Sequence, residues 1–163
     1  MSPDLDEQNP NLIWEHKTFS QLTSLELHEI LSARQSVFVV EQKLVCEDAD
    51  KFDLTSIHLS GRESASREIT AYARIHPPNS KYAEVSFGRV LITLPFRNSG
   101  LGKELVTQCF SLCNSMFPGI CIRISAQVET IGFYEKLGFK TIGNIYMDAG
   151  IEHRDMLFEL AND

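Results

Sequence analysis

The segment Ala83 to Thr93 carries Val85, Phe87, Val90, Leu91 and Ile92 and reads as one long strand. It runs into the loop Arg97-Asn98-Ser99-Gly100-Leu101-Gly102, and a strongly apolar helix follows at once, from about Gly100 to Phe117. Pro118-Gly119 ends that helix. A strand that feeds a glycine loop and then a helix rich in Leu, Val, Cys and Phe needs a sheet to pack against. With the strands before and after it, that pattern reads as a mixed α/β sheet with helices on its faces.

The rest of the chain supplies the sheet. Residues Ile13 to Phe19 alternate loosely as a first strand. Thr23 or Ser24 caps a helical stripe of Leu25, Leu27, Ile30, Leu31, Arg34 and Val37 that reaches about Val40. The run from Ser36 to Gln42 is rich in β-branched residues, so helix and strand are both arguable there. Ser56 to Ser60 and Glu68 to His76 form a hairpin across a polar turn from Gly61 to Arg67. Ile120 to Ala126 is nearly continuous in apolar character, the pattern of a strand buried on both faces. A short helix over 128–137 follows, closed by Gly138. Two last strands, Phe139 to Tyr146 and Glu152 to Leu160, flank an Asp148-Ala149-Gly150 turn. The expected fold class is α/β, with a mixed, mostly antiparallel central sheet flanked by helices. Residues 1–11 read as a flexible acidic tail and 12–163 as a single domain.

Composition narrows the function. The 163 residues include 22 acidic and 15 basic side chains, a formal charge of -7. A general nucleic-acid or anionic-membrane binder shows the opposite balance. No apolar run approaches the roughly 18 residues that cross a bilayer. The acidic N-terminus lacks an apolar signal core, which points to the cytoplasm. The cysteines, Cys46, Cys109, Cys113 and Cys121, include no C-x-x-C pair and no histidine at zinc-ligand spacing, so reduced, mostly buried thiols and no metal are expected.

The loop after the long strand is where chemistry is most legible. The first turn of a helix leaves backbone N–H groups unpaired, and with the helix dipole they favour an anion, phosphate above all. Gly100 and Gly102 let a bulky phosphate approach, and Arg97 and Lys103 add positive charge. The spacing fits neither a P-loop, where the lysine would precede Ser or Thr rather than Glu104, nor the Rossmann G-x-G-x-x-G, where Leu105 stands in place of the third glycine.

Arg97-x-x-Gly100-x-Gly102 resembles the R/Q-x-x-G-x-G/A acetyl-CoA motif of the GNAT N-acetyltransferase superfamily. Gly132-Phe133-Tyr134-Glu135-Lys136-Leu137-Gly138-Phe139, about thirty residues on, resembles the family's second signature. The run from Arg34 to Gln42, the acidic loop after it and Gly150-Ile151-Glu152-His153 look like the ElaA-like subgroup. The resemblance covers about residues 12–160 and implies an acetyl-CoA-dependent N-acetyltransferase whose partners are acetyl-CoA and a small amine or a peptide amine, as a monomer or homodimer. It implies that the strand residues Val90, Leu91 and Ile92 pair by backbone with the pantetheine arm. Arg97 and the amides of Asn98, Ser99, Gly100, Leu101, Gly102 and Lys103 would surround the pyrophosphate. Phe133 and Tyr134 would contact the cofactor, and Tyr134 would protonate the departing thiolate. Gln127 stands where the family often has Asn, one methylene shorter.

Direct transfer needs a neutral amine, so a base or a water chain must take a proton. Glu41, His58 and His153 are the candidates, as base or as substrate contacts. The loop Glu47-Asp48-Ala49-Asp50 either attracts a cationic substrate or is simply solvated. Two further readings remain on the same scaffold. One is a non-catalytic acyl-CoA-binding sensor. The other is an acyl-homoserine-lactone-synthase-like acyltransferase, a class expected to be longer and to use an acyl carrier rather than this loop.

Overall fold

The computed structural model describes residues 10–159, so all but the last two positions of the expected tail lie outside it, as does Leu160. Seven strands form two antiparallel ladders. The first has the order β1 (Leu12–Thr18), β2 (Ile57–Glu63), β3 (Ile69–His76) and β4 (Ser86–Ile92); the second has the order β5 (Ile122–Gln127), β7 (Ile151–Phe158) and β6 (Lys140–Asp148). One parallel bridge, Val85 to Ile122, joins the halves, and the Arg123 N–H donates to the Val85 carbonyl at 2.9 Å. This is the mixed, mostly antiparallel sheet expected.

Helix α1 (Ser24–Arg34) covers one face and α2 (Leu101–Met116) the other. Thr23 caps α1: its hydroxyl accepts from the Glu26 N–H at 3.2 Å, and the Glu26 carboxylate accepts from the Thr23 N–H at 2.9 Å. Ile30 packs with Tyr72 and Leu91 on the α1 side. Leu105, Val106 and Cys109 pack with Ile75, Phe87 and Ile124 on the α2 side. Each such side chain contributes about 1.5–3 kcal/mol by leaving water. Cys109 and Cys113 are buried there as free thiols, while Cys46 and Cys121 are half-buried. No helix among the described residues is long and apolar enough to cross a membrane.

Four local readings are corrected. The α-helix stops at Arg34, and Gln35–Glu41 continues as a π-helical turn. The wider turn relieves the crowding of Val37, Val39 and Val40, and such turns mark functional positions. Strand β2 runs through the expected polar turn to Glu63, because Arg62 finds an ion pair with Glu29 at 2.8 Å and the Arg67 carbonyl at 2.9 Å. Strand β5 is buried on one face only: its burial alternates, and Arg123, Ser125 and Gln127 share the half-exposed face. The helix expected over 128–137 is a 3-10 turn (Val128–Thr130) followed by a short α3 (Ile131–Glu135).

Gly61 explains how β1 closes onto β2. A β-carbon there would meet the Trp14 ring at 2.8 Å and the Leu12 side chain at 3.0 Å. Trp14 is the one tryptophan and its indole N–H donates to Glu104 on α2 at 2.9 Å, so the ring is not free to swing aside. Gly61→Ala is expected to destabilise by about 1–3 kcal/mol through overpacking. Urea unfolding followed by Trp14 fluorescence reads this directly, and an unchanged midpoint would mean the ring yields.

Candidate functional site

Strands β4 and β5 touch at their starts and then part. Beyond the Val85–Ile122 bridge, β4 pairs only with β3 and β5 only with β7. A bulge adds to the divergence: Tyr72 faces Leu91 while Arg74 faces Gly88, and Arg89 between them has φ +52°. The result is a cleft of about 330 Å³ whose walls include Val90, Leu91 and Ile92 from β4, Ala126 and Gln127 from β5, and Tyr134 from α3.

Arg97, on the cleft wall, leads three residues on into the start of α2. Its N-cap is Gly100, at φ +82°, and no side chain caps the helix. Asn98 also adopts positive φ, +60°, so the loop turns its backbone sharply before the helix begins. Ser99 donates its hydroxyl back to the Phe96 carbonyl at 2.5 Å. The first-turn N–H groups of a 16-residue helix are therefore left to an outside acceptor. Lys103 is exposed beside them, and Phe133 stands 3.9 Å from where a Gly102 β-carbon would lie.

Arg97 is occupied. Its Nε donates to the Ile92 carbonyl at 2.9 Å, and its two terminal nitrogens form a forked pair with Glu41, one of them at 2.9 Å. That hydrogen bond from Arg97 holds the Glu41 carboxyl below its ordinary range. Glu41 is thus a weak proton acceptor and serves as a clasp between the π-helical turn and the glycine loop, which corrects its reading as a base.

Tyr134 is nearly buried, packed edge-on against Phe139 at 5.7 Å and Phe133 at 5.1 Å and tilted against Phe87 at 6.5 Å. Its hydroxyl has no hydrogen-bond partner among the described residues and lines the cleft. Burial pushes its pKa well above the ordinary phenol value, with Cys109 adding to the effect, so it stays protonated at neutral pH. Gln127 reaches the π-helical side, its amide 3.5 Å from the Gln42 side-chain oxygen.

The two histidine candidates separate. His58 is buried away from the cleft. The Asp53 carbonyl can only accept, so Nε2 donates to it at 2.9 Å, and Nδ1 accepts from the Tyr72 hydroxyl at 2.8 Å. Neither nitrogen is available, and His58 is withdrawn as a site residue. His153 lines the cleft. Most of the acidic loop turns inward rather than to solvent: Asp48 pairs with Arg34 and Arg89, and Asp50 and Asp53 pair with Arg74, while Glu47 stays exposed. Gln42 and Arg89 are among the cleft residues that escaped the sequence reading. Gln42 closes the run that carried the resemblance, so its place beside Gln127 was a missed signal; Arg89 sits in a bulge that no pattern announces. No group of three or more His, Cys, Asp or Glu side chains among the described residues is placed to hold a metal.

Residues 63–160 match the family model described as an acetyltransferase (GNAT) domain. A UPF0039 protein of Synechocystis is 40% identical over 90% of this chain and 95% of its own length. The crystal structure of an acyl-CoA N-acyltransferase from Pseudomonas aeruginosa superposes with a TM-score of 0.85 at 29% identity, over 91% of this chain and 99% of that one. Escherichia coli ElaA does so with a TM-score of 0.84 at 30% identity, over 91% of this chain and all (100%) of that one. A structure described as a CoA-dependent acyl-homoserine lactone synthase shares the fold alone, at 12% identity and a TM-score of 0.74. That synthase is described as CoA-dependent, so the expectation that its class uses an acyl carrier does not hold for it. The splayed strands, the uncapped glycine loop and these likenesses converge: the chain belongs to the GNAT acetyltransferase superfamily, in its ElaA-like subgroup.

Proposed function

We propose that the chain is an acetyl-CoA-dependent N-acetyltransferase that moves an acetyl group directly to a primary amine of a small molecule or peptide. The observation that carries this reading is a cleft walled by the free edge of β4, by Arg97 and by a protonated, unpartnered phenol, with an uncapped helix N-terminus three residues beyond Arg97. The amides of Asn98 to Lys103 would receive the pyrophosphate, and the unpaired edge of β4 at Val90 and Leu91 the pantetheine arm. The Ile92 carbonyl is already engaged by Arg97, so its contribution is confined to packing. Phe133 and Gln127 would border the arm. Attack by the amine forms the C–N bond, the C–S bond breaks, and Tyr134 protonates the sulfur as it leaves. The thioester oxygen would take its hydrogen bond from a β4 amide beside the bulge.

Acetyl-CoA at about a hundred times its dissociation constant is expected to stabilise the protein by roughly 2.7 kcal/mol, read as a rise in melting temperature. Gly100→Val places a branched side chain at φ +82°. It is expected to weaken acetyl-CoA at least about tenfold, the equivalent of 1.4 kcal/mol of strain and displaced phosphate. Titration calorimetry checks this; unchanged affinity would remove the helix terminus from the reading. Thiol release across a panel of amines tests the transfer itself.

A further inference from the structure

A second cavity, of about 340 Å³, opens on the other side of the bulge, between the Cys46–Asp48 loop and the β6–β7 turn at Asp148 and Ala149. It shares Phe38, Gln42, Arg89, Gln127 and His153 with the cleft, so the two meet along one wall. His153 stands at that junction, opposite Gln127 on β5 and Tyr146 on β6.

The imidazole there is held in one tautomer and one orientation. Its Nδ1 lies 2.8 Å from the Ile151 carbonyl, which can only accept, so Nδ1 carries the proton and Nε2 keeps its lone pair. The ring stacks on Tyr146 at 6.0 Å and 22°. Tyr146 is itself fixed, its hydroxyl donating to Asp155 at 2.7 Å. The charged groups around the two spaces are the Arg97–Glu41 and Arg89–Asp48 pairs, each neutral as a pair, and Glu47 and Asp148, which are exposed and form no ion pair among the described residues. Tyr134, Tyr146 and Cys46 are the other titratable neighbours. The second cavity is therefore negative on balance, which suits an entering ammonium and disfavours an anionic amine.

We propose that the acceptor enters through this second cavity as a primary ammonium and that His153 is a further catalytic residue, its Nε2 taking the proton that frees the attacking amine. This rests on the acetyltransferase reading above. Two protons leave the ammonium nitrogen as it becomes an amide. The first goes to Nε2 and then to water. The second replaces the proton that Tyr134 gives to the departing sulfur. No oxidant, reductant or metal enters the balance.

The test is the pH dependence of kcat/KM for acetyl transfer from acetyl-CoA, followed by thiol release with a panel of primary amines. The wild type is expected to show an acid limb, where protonation of the base removes the acceptor for the ammonium proton. His153→Asn keeps a donor where Nδ1 stood and removes the base. It is expected to lose that limb and to fall about 10²–10⁴-fold, with acetyl-CoA affinity by calorimetry unchanged. Added imidazole is expected to restore part of the rate of His153→Ala. A limb and rate that survive in His153→Asn would overturn the role of His153 and leave the transferase reading standing. A wild type that binds acetyl-CoA but acetylates no amine would overturn both. Should neither variant fold, the wild-type profile decides: a rate flat from pH 5 to 8 refutes an imidazole base.

Discussion

Asp53→Ala is expected to lower the unfolding free energy by about 3–5 kcal/mol, because it takes from two buried cations the carboxylate they share. Arg34 is fully buried at the end of α1, and Arg74 on β3 is nearly so. The Asp53 carboxylate meets Arg34 at 2.6 and 3.3 Å and Arg74 at 2.8 Å, and accepts the Asp50 N–H at 3.0 Å. Asp48 completes the shell, holding the Arg34 Nε at 2.8 Å and offering its carbonyl at 2.6 Å. The network ties α1, the 46–54 loop and β3 together behind the bulge of β4. Its removal should therefore loosen the cleft as well as the fold. The melting point is expected to fall by roughly 6–20 °C, at 2–4 °C per kcal/mol for a chain of this size. A loss below about 1 kcal/mol in urea unfolding would mean that water replaces the carboxylate and that the site is wetter than its burial implies.

Acid should find the same weak point from two directions. His76 is buried and neutral, and desolvation, with Arg74 nearby, brings its pKa down to about 3. The unfolded chain binds that proton near about pH 6.5, so stability from His76 is whole above that value and is lost progressively as pH falls toward the folded one. For Asp53, burial alone would raise the pKa; the hydrogen bond and charge of Arg34 and the bond from Arg74 outweigh it and hold the group at about 2. The unfolded value is near about 3.9, so the contribution of Asp53 is present above that pH and disappears as pH falls through about 2. Between them the two groups predict a stability that declines from near neutrality downward, and Asp53→Ala should keep the upper part of that decline and lose the lower.

The contrast between what could and could not be read from sequence has a physical basis. The order of strands and helices, the loop from Arg97 to Gly102 and the turn at Asp148-Ala149-Gly150 are local: periodicity, glycine and proline carry them without knowledge of the rest of the chain. The Arg34–Asp53–Arg74 network is not local. Its members lie 19 and 21 residues apart, and nothing in Glu47-Asp48-Ala49-Asp50 says that Asp48 and Asp50 turn inward while Glu47 does not. The same holds for Glu41, whose carboxylate looks free until the fold brings Arg97 beside it across 56 residues. His58 and His153 are both candidates in the sequence. Only topology shows that one has both nitrogens engaged in the core while the other lines the cleft with a single nitrogen bonded. The π-helical turn was the hardest element, since its β-branched run argued for strand and its neighbours for helix.

Tyr134→Phe is expected to lower kcat by about 10²–10⁴-fold, the usual worth of a positioned proton donor, while leaving acetyl-CoA affinity nearly unchanged. The change removes one oxygen that has no partner among the described residues, so the packing of the ring against Phe87, Phe133 and Phe139 survives and the fold should not suffer. That makes the variant a clean report on chemistry. A phenol kept protonated by burial can donate at neutral pH and above, so its rate contribution should not titrate within the working range. The dependence on the leaving group provides the second measurement. A thiolate that departs without a proton is stabilised by its own acidity, so an acetyl thioester of a more acidic thiol should lose far less in the variant than acetyl-CoA does. If both substrates fall equally, the hydroxyl acts on binding or geometry instead. If turnover with acetyl-CoA stays within about twofold, roughly 0.4 kcal/mol of barrier, Tyr134 only packs, and the proton must reach the sulfur from the amine itself.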